Sequence, residues 1–134
     1  MKTVFADAFY FFALLSKTDE AHTEAVEFTR SYRGAFVTTD WVMVELADGL
    51  SATPHGRAQF LQTRDRLAAH PRTKIVKLDD SLYQAGIALY AQRPDKEWSL
   101  TDCISFVVMQ RESLTEALTG DHHFIQAGFT ALLK

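Results

Sequence analysis

The sequence predicts a single α/β domain built around a mainly parallel sheet. Short runs rich in Val, Ile, Phe and Thr alternate with longer segments of helical period, which is typical of strand–helix units. A chain of 134 residues with 47% hydrophobic content is the size of one ordinary domain. No internal repeat and no low-complexity stretch interrupts the alternation. Residues 1–134 are therefore interpreted as one domain.

Five short apolar runs are the predicted strands. Their β-branched and aromatic residues favour the extended conformation. In order along the chain they are Thr3–Ala6, Ala35–Thr38, Lys74–Leu78, Ala117–Thr119 and a last run near Phe129–Leu133. The third run alternates charged with apolar residues, which indicates a half-buried strand near the edge of the sheet.

The segments between the strands carry the periodicity and the boundary signals of helices. The first of them, Phe9–Leu15, is almost entirely apolar and is predicted to be a buried helix. Pro54 fits the first position of a helix that begins at Thr53 and runs to about Ala69. The remaining helices are predicted from N-capping residues and periodicity. The first is capped by Thr18 or Asp19 and stops at Gly34, the second is capped by Thr39 or Asp40, and the third is capped by Asp79 or Asp80. A fourth starts at Ser99, and a short fifth lies around Phe124.

Apolar residues at helical spacing predict which face of each helix is buried. The helix after Ser99 has little polar surface from Ile104 to Met109, so it is the predicted central helix. Two further helices have predicted inner faces, formed by Phe60, Leu61, Leu67 and Ala68 and by Leu82, Ala85, Ala88 and Leu89. The helices before them carry the apolar residues Ala21, Ala25, Val26 and Phe28 and Val42, Val44, Leu46 and Leu50.

The charge balance argues against a generally basic nucleic-acid-binding surface. The formal net charge is -3, so a polyanionic substrate would have to be held by local cations. The candidates for that role are Lys74, Arg93, Lys96, Arg111, His122 and His123.

The compartment is predicted from the cysteine content and from the absence of targeting segments. Cys103 is the only cysteine, so no intramolecular disulfide can form, and its apolar helical context predicts burial rather than nucleophilic chemistry. Asp7 interrupts the apolar start of the chain, which argues against a signal peptide. No apolar run reaches the roughly 20 residues of a membrane span. These features predict a cytoplasmic protein.

Four acidic residues, Asp7, Glu45, Asp102 and Asp121, lie where a predicted strand gives way to a helix or in the first turns of that helix. Because the carboxyl ends of parallel strands share one edge of a sheet, we expect these side chains to meet. Two unit charges about 4 Å apart repel by about 4 kcal/mol at an effective dielectric of about 20, so protons or cations must neutralise such a cluster. Oxygen ligands suit Mg²⁺ or Mn²⁺, and we favour the cations.

Each acid also has a purely structural explanation that the sequence leaves open. Asp7 and Asp121 fit helix N-caps, and Ser99-Leu100-Thr101-Asp102 matches a capping box. Glu45 lies among apolar residues, where a carboxylate is expected to be paired or exposed. Recurrence of the acid after two different strands favours the shared site. Thr101 lies beside Asp102 and could hydrogen-bond a ligand water or a phosphate.

Other constellations are less specific. Asp121-His122-His123 matches the Asp-His-His tripeptide of a phosphoesterase family, but that family needs further aspartates and a longer chain, so we expect both histidines to be exposed. A receiver domain needs an acidic pair after the first strand, and a haloacid-dehalogenase-like phosphatase needs Asp-x-Asp. Residues 6–9 offer neither. No Walker loop, dinucleotide fingerprint or Ser-His-Asp order is present.

Four segments resemble those of the PIN domain, a small α/β fold of metal-dependent ribonucleases that includes the VapC-like toxins of toxin–antitoxin pairs. They are Val4-Phe5-Ala6-Asp7, Val37 through Leu46, Trp98 through Cys103, and Leu118 through Phe124 before Gly128-Phe129. The resemblance covers nearly the whole chain and implies a three-layer α/β/α fold. Ala8 departs from it, because many members have Thr or Ser after the first aspartate.

The resemblance also implies a function and a set of partners. Asp7, Glu45, Asp102 and Asp121 match the acidic quartet that binds Mg²⁺ or Mn²⁺, with Thr101 auxiliary. The implied reaction is hydrolysis of RNA by a metal-activated water, and the implied partners are RNA, a small antitoxin and a second copy of the chain. The stretch from Phe9 to Phe12 and the helix of Trp41 are candidates for partner contact, but core burial is expected for most of these residues. A catalytically silent RNA- or protein-binding module on the same fold is the alternative.

Overall fold

Alternating strands and helices form one five-stranded sheet in which every neighbouring pair is parallel. The structure is a computed structural model that describes residues 2–133. Within these residues the elements are β1 (Thr3–Ala6), α1 (Ala8–Leu15), α2 (His22–Ser31), β2 (Ala35–Thr39), α3 (Asp40–Gly49), α4 (Pro54–Ala69), β3 (Thr73–Val76), α5 (Asp80–Gln92), α6 (Leu100–Arg111), β4 (Glu116–Leu118), α7 (His122–Gln126) and β5 (Thr130–Ala131).

The sheet order is β3-β2-β1-β4-β5, which puts β1 at the centre and β3 at an edge, as predicted. The chain leaves β1 toward β2 on one side and returns to its other side with β4. This reversal of direction opens a crevice beyond the carboxyl ends of β1 and β4. Helices flank the sheet, so the predicted α/β/α architecture with a parallel sheet is confirmed.

The core is formed by the central strands and by α6. Val4, Phe5 and Ala6 of β1 are at most 1% exposed, and α6 is buried along most of its length, as predicted. Phe106 of α6 packs edge-on against Phe124 of α7, with ring centroids 5.0 Å apart. This contact fixes α7 against the core and thereby fixes the chain just before it.

Four predicted helix starts are confirmed by side-chain caps. Thr39, Thr53, Asp79 and Ser99 each occupy the N-cap position and accept a hydrogen bond from the backbone N–H three residues later. The predicted burial of Cys103 is confirmed as well.

One predicted cap was wrong. Helix α2 begins at His22, later than a cap at Thr18 or Asp19 would require, because Asp19 Oδ1 accepts from Ala21 N, 2.9 Å away, and stabilises a turn before the helix.

Three predicted core residues were also wrong. Leu61 is 57% exposed, and Ala68 and Ala88 are exposed as well. In α4, Phe60 and Leu67 turn toward the core, which leaves the neighbouring Leu61 on the outer side of the helix.

Three strands end earlier than predicted, and one of them is β5, which covers only Thr130–Ala131 of the predicted Phe129–Leu133. Strand β3 ends at Val76, and the N–H of Leu78 instead donates to Asp40 Oδ2 over 3.1 Å. Strand β4 ends at Leu118, one residue before the predicted Thr119. Within residues 2–133, none of the helices combines the length and the apolar character needed to cross a membrane.

Candidate metal centre

The crevice at the carboxyl ends of β1 and β4 contains the first and the last of the four acids. Ala6 of β1 pairs with Leu118 of β4, and the N–H of Asp7 donates to Leu118 O over 3.4 Å. Because the two strands are parallel, the next residues along the chain, Asp7 and Thr119, lie side by side. The pairing of β1 with β4 therefore sets the positions of both Asp7 and Asp121, which are more than a hundred residues apart in sequence.

Asp7 is a buried carboxylate rather than a helix cap. It stands at the N-cap position of α1, but its side chain makes no capping hydrogen bond, so the structural explanation does not hold. Its Oδ2 accepts instead from Thr119 Oγ1 over 2.8 Å, and the residue is 8% exposed. Burial raises the pKa of Asp7 to about 7, with a smaller opposing effect of the Thr119 hydrogen bond and a further rise from Glu45.

Asp102 both caps α6 and lies in the crevice with the other acids. Its Oδ2 accepts from the backbone N–H of Ser99, 3.0 Å away, which completes the predicted capping box. The same oxygen lies 3.0 Å from Nδ1 of His123, which donates to it when the carboxylate is ionised. Burial and the nearby Asp121 raise the pKa of Asp102, while the Ser99 N–H and His123 lower it.

Asp121 is held in place by the backbone around it. Its Oδ1 accepts from His123 N over 2.9 Å and caps α7, while its own N–H donates to Thr119 Oγ1 over 3.1 Å. Gly120 before it has no room for a side chain, because a Cβ there would come within 2.5 Å of the Phe9 ring. The first turn of α1 therefore packs directly against the loop that carries Asp121.

Glu45 lies at the open side of the crevice. The residue is exposed, so the predicted apolar surround does not bury it, but the protein around its carboxylate still desolvates it in part. That desolvation raises the pKa of Glu45, and the charges of Asp102 and Asp121 raise it further. Thr101 is half-buried beside Asp102.

The four carboxylates influence one another through their charges. Asp7 interacts with Glu45 and Asp102, and Glu45 and Asp102 both interact with Asp121. No three of the four bring their ligand atoms within 4.8 Å of one another among residues 2–133; the group that does so is Asp121, His122 and His123. None of the ion pairs that lysine or arginine forms within residues 2–133 includes any of the four. Oxygen donors without a compensating lysine or arginine fit a divalent ion such as Mg²⁺ or Mn²⁺.

Two residues of the crevice were missed or misjudged from the sequence. Thr119 is fully buried and joins Asp7 to Asp121 through one hydroxyl; its position two residues before a strand-end aspartate was the available signal. His123 was predicted to be exposed, but its side chain is 19% exposed and contacts Asp102. The prediction holds for His122, whose side chain is 70% exposed.

Three of the other candidate cations have partners outside the crevice. Lys74 pairs with Glu112. Arg93 pairs with Asp95, and its guanidinium lies 5.0 Å from the centre of the Trp98 ring. Arg111 donates a long hydrogen bond to Ser81. Lys96 and Arg93 line a depression that also includes Ser99, the residue that caps α6.

Neither family models nor curated protein sequences match this chain, whereas solved structures do. The structure of Mycobacterium tuberculosis VapC20, a sarcin-ricin loop cleaving toxin, superposes with a TM-score of 0.86 at 20% identity and covers 98% of this chain and 99% of its own. FitAcB from Neisseria gonorrhoeae gives a TM-score of 0.65 at 18% identity over 96% of this chain and 94% of its own. VapBC2 from Rickettsia felis, bound to a DNA fragment from its promoter, gives 0.67 at 12% identity over 97% of each chain.

These similarities confirm the PIN-like α/β fold that the sequence predicted. Identity of 20% or less between similar backbones shows the fold and leaves the activity to be argued from the residues of the crevice.

The metal-free protein should lose stability as the pH rises. Folding raises the pKa of Asp7 from 3.8 to about 7. The stability that the protonated acid contributes is therefore fully present below pH 3.8 and is lost as the pH rises through about 7. Asp7→Asn keeps an acceptor for Thr119 and removes the buried charge. We expect it to raise the free energy of unfolding at pH 8 by between about 1 and 4 kcal/mol, given about 1.36 kcal/mol for each pKa unit.

Urea unfolding in chelator at several pH values between 5 and 8 measures this effect. Asp48→Asn, an exposed acid on the same helix as Glu45, is the control and should follow the wild type. An Asp7→Asn variant that is less stable than the wild type at pH 8 would contradict the burial penalty.

Proposed function

We propose that the protein is a metal-dependent endoribonuclease that hydrolyses RNA phosphodiester bonds with a metal-activated water. The observation that carries the proposal is the group of four coupled carboxylates that no lysine or arginine among residues 2–133 neutralises by ion pairing. The fold of VapC20, a sarcin-ricin loop cleaving toxin, supports the same reaction class by analogy.

The proposed metal ligands are Asp7, Glu45, Asp102 and Asp121. A divalent ion supplies a water of lowered pKa and compensates negative charge that develops on the phosphate. Asp7, which burial keeps partly protonated near pH 7, gives up its proton when a cation is held beside it. The hydrogen bonds from Thr119 to Asp7 and from Ser99 to Asp102 hold one oxygen of each carboxylate and leave the other available.

The remaining steps are assigned to side chains at the open edge of the crevice. Glu45 is exposed there, and its carboxylate is the proposed acceptor of the proton of the attacking water. Thr101 is the proposed hydrogen-bond donor to a phosphate oxygen. Arg93 and Lys96 line the depression next to Ser99, where they could hold the RNA backbone despite the net negative charge of the chain.

Cleavage of total cellular RNA by the purified, partner-free protein tests the nuclease. We expect discrete fragments with Mg²⁺ or Mn²⁺, none with chelator, and at least a hundredfold slower cleavage by Asp102→Asn, whose amide can still accept the capping hydrogen bond. Asp48→Asn should cleave like the wild type. Cleavage by Asp102→Asn at the wild-type rate would refute the assignment, and metal binding without fragments would favour the silent binding module.

We further propose that the nuclease is a cytoplasmic toxin inhibited by a small antitoxin. A cavity of about 440 Å³ lies among α1, α2, α4 and the adjoining strands. Its lining combines apolar residues, including Tyr10 and Phe11 of the predicted contact stretch, with Arg33, Arg66 and Arg72. This combination fits an apolar segment that carries acidic residues.

Co-expression with the product of a small neighbouring gene tests the partner. We expect that product to suppress RNA cleavage by the wild type, and to suppress cleavage by Leu14→Glu at least tenfold less, because a negative charge at this cavity residue opposes an acidic segment. Leu61→Glu, at an exposed position of α4, is the control. Inhibition that is equally strong in both variants would exclude the cavity as the docking site.

A homodimer through α3 and α5 is the remaining part of the proposal. Trp41 of α3 stacks on Tyr83 of α5, with ring centroids 5.7 Å apart. Three residues of these two helices are exposed: Val44 by 49%, Tyr83 by 38% and Tyr90 by 53%. Residues 41 and 44 lie one turn apart on α3, and residues 83 and 90 lie two turns apart on α5, so each pair shares a face. Exposed aromatic residues that adjoin one another favour a protein contact.

Sedimentation equilibrium tests the dimer. We expect the wild type to be dimeric at micromolar concentration and the double variant Val44→Lys/Tyr90→Lys to dissociate at least a hundredfold more readily, because two charges would be buried against an apolar surface. Leu61→Lys changes an equally exposed leucine on α4 and should leave the dimer intact. A monomeric wild type would exclude this part of the proposal.

A further inference from the structure

Two imidazole nitrogens converge on the last acid of the crevice. Nδ1 of His123 lies 3.4 Å from Asp121 Oδ1, and Nδ1 of His122 lies 3.7 Å from the same oxygen. The ligand atoms of these three residues are all within 4.8 Å of one another. Nδ1 of His123 is also 3.0 Å from Asp102 Oδ2, although Asp102 does not belong to the group whose ligand atoms are all that close.

These separations are close to those between the ligands of a tetrahedral metal ion. With metal–ligand bonds of 2.0–2.1 Å, two ligands of a tetrahedral Zn²⁺ are about 3.3 Å apart. The distances from the two Nδ1 atoms to Asp121 Oδ1, 3.4 and 3.7 Å, are slightly longer than that value. Closing the group around an ion therefore requires shifts of only a few tenths of an ångström in these two distances, and the exposed His122 side chain has room to adjust.

The donor set distinguishes this group from the rest of the crevice. Asp7 and Glu45 offer only oxygen, which suits Mg²⁺ or Mn²⁺. Two imidazoles with one carboxylate instead suit borderline ions, since nitrogen ligands favour Zn²⁺, Ni²⁺ or Co²⁺ over Mg²⁺. The two kinds of site meet at Asp121, which belongs to both.

We propose that Asp121, His122 and His123 form a second divalent-metal site, specific for a borderline ion such as Zn²⁺. Filling this site engages Asp121 and so withdraws it from the oxygen-only site beside it. Zn²⁺ binding itself is independent of any activity of the protein. The consequence that Zn²⁺ inhibits Mg²⁺-supported RNA cleavage rests on the proposed function.

An imidazole binds a metal ion through a ring nitrogen that carries no proton, so a His123 that binds through Nδ1 has its proton on Nε2. The His123–Asp102 hydrogen bond is then lost. The backbone bond from His123 N to Asp121 Oδ1 can persist, because a carboxylate oxygen accepts from two directions.

Titration calorimetry with Zn²⁺ in a large excess of Mg²⁺ tests the site. The full chain is used without an affinity tag and after treatment with chelator, and Co²⁺ replaces Zn²⁺ in a parallel experiment in which visible absorption reports four-coordinate geometry. We expect one Zn²⁺ per chain, at least tenfold weaker binding by His122→Ala, and at least a hundredfold weaker binding by His122→Ala/His123→Ala. Calorimetric binding of Mg²⁺ alone should change less than twofold in His122→Ala.

His55→Ala, which removes another exposed histidine, is the matched control and should bind Zn²⁺ within twofold of the wild type. His122 is exposed, so its replacement should leave the thermal unfolding of the metal-free protein unchanged and decides the question if the double variant does not fold. Zn²⁺ binding that survives in His122→Ala but is lost in Asp7→Asn would overturn the proposal, because the ion would then occupy the oxygen-only site.

RNA cleavage measured in the same preparations separates this proposal from the proposed nuclease. Mg²⁺-supported cleavage should fall at least tenfold when one equivalent of Zn²⁺ is added to the wild type, and less in His122→Ala relative to its own Zn²⁺-free rate. Histidine-dependent Zn²⁺ binding without any cleavage would refute the nuclease and support the metal site. Cleavage with Mg²⁺ but no histidine-dependent Zn²⁺ binding would support the nuclease and refute the metal site.

Discussion

The structure depends most on the cost of gathering carboxylates at one edge of a parallel sheet. Desolvation raises the pKa values of Asp7, Glu45 and Asp102, and the mutual repulsion of the acids adds to each rise. A surface of this size could disperse such charges at no cost, so their convergence opposes folding. Charge-neutralising binding of a cation offsets that cost, which couples ligand binding to stability.

The crevice keeps its geometry because rigid elements hold its two sides. Phe124 is fully buried and contacts Phe5 of the central strand and Phe106 of α6, so the short α7 cannot move away from the sheet. On the other side, Phe9 packs on Gly120. Packed aromatic rings therefore hold the acids in place against their mutual repulsion. In a core of this density a small displacement of α7 would cost several contacts at once.

Local signals in the sequence predicted most of the fold, and contacts between distant segments account for the errors. The caps at Thr39, Thr53, Asp79 and Ser99 are local chemistry, and all were predictable. The rotation of α4, which exposes Leu61 and buries part of Phe60, depends on the elements that the helix meets. The convergence of the four acids was predictable from strand-end positions alone. The partial burial of His123 was not, because it depends on how α7 is docked by Phe124.

The hydroxyl that holds Asp7 shows how the sheet can supply what the local sequence lacks. The resembling family often has Thr or Ser directly after the first aspartate, whereas this chain has the buried Ala8. The register of β1 against β4 carries residue 119 alongside residue 7, so a threonine at the end of the neighbouring strand reaches the same carboxylate over 2.8 Å. In a parallel strand pair, a hydroxyl donor at the end of either strand can therefore reach the same carboxylate. Because a fold constrains positions in space and not their order in sequence, chains of 12–20% identity can share this backbone while their supporting residues differ.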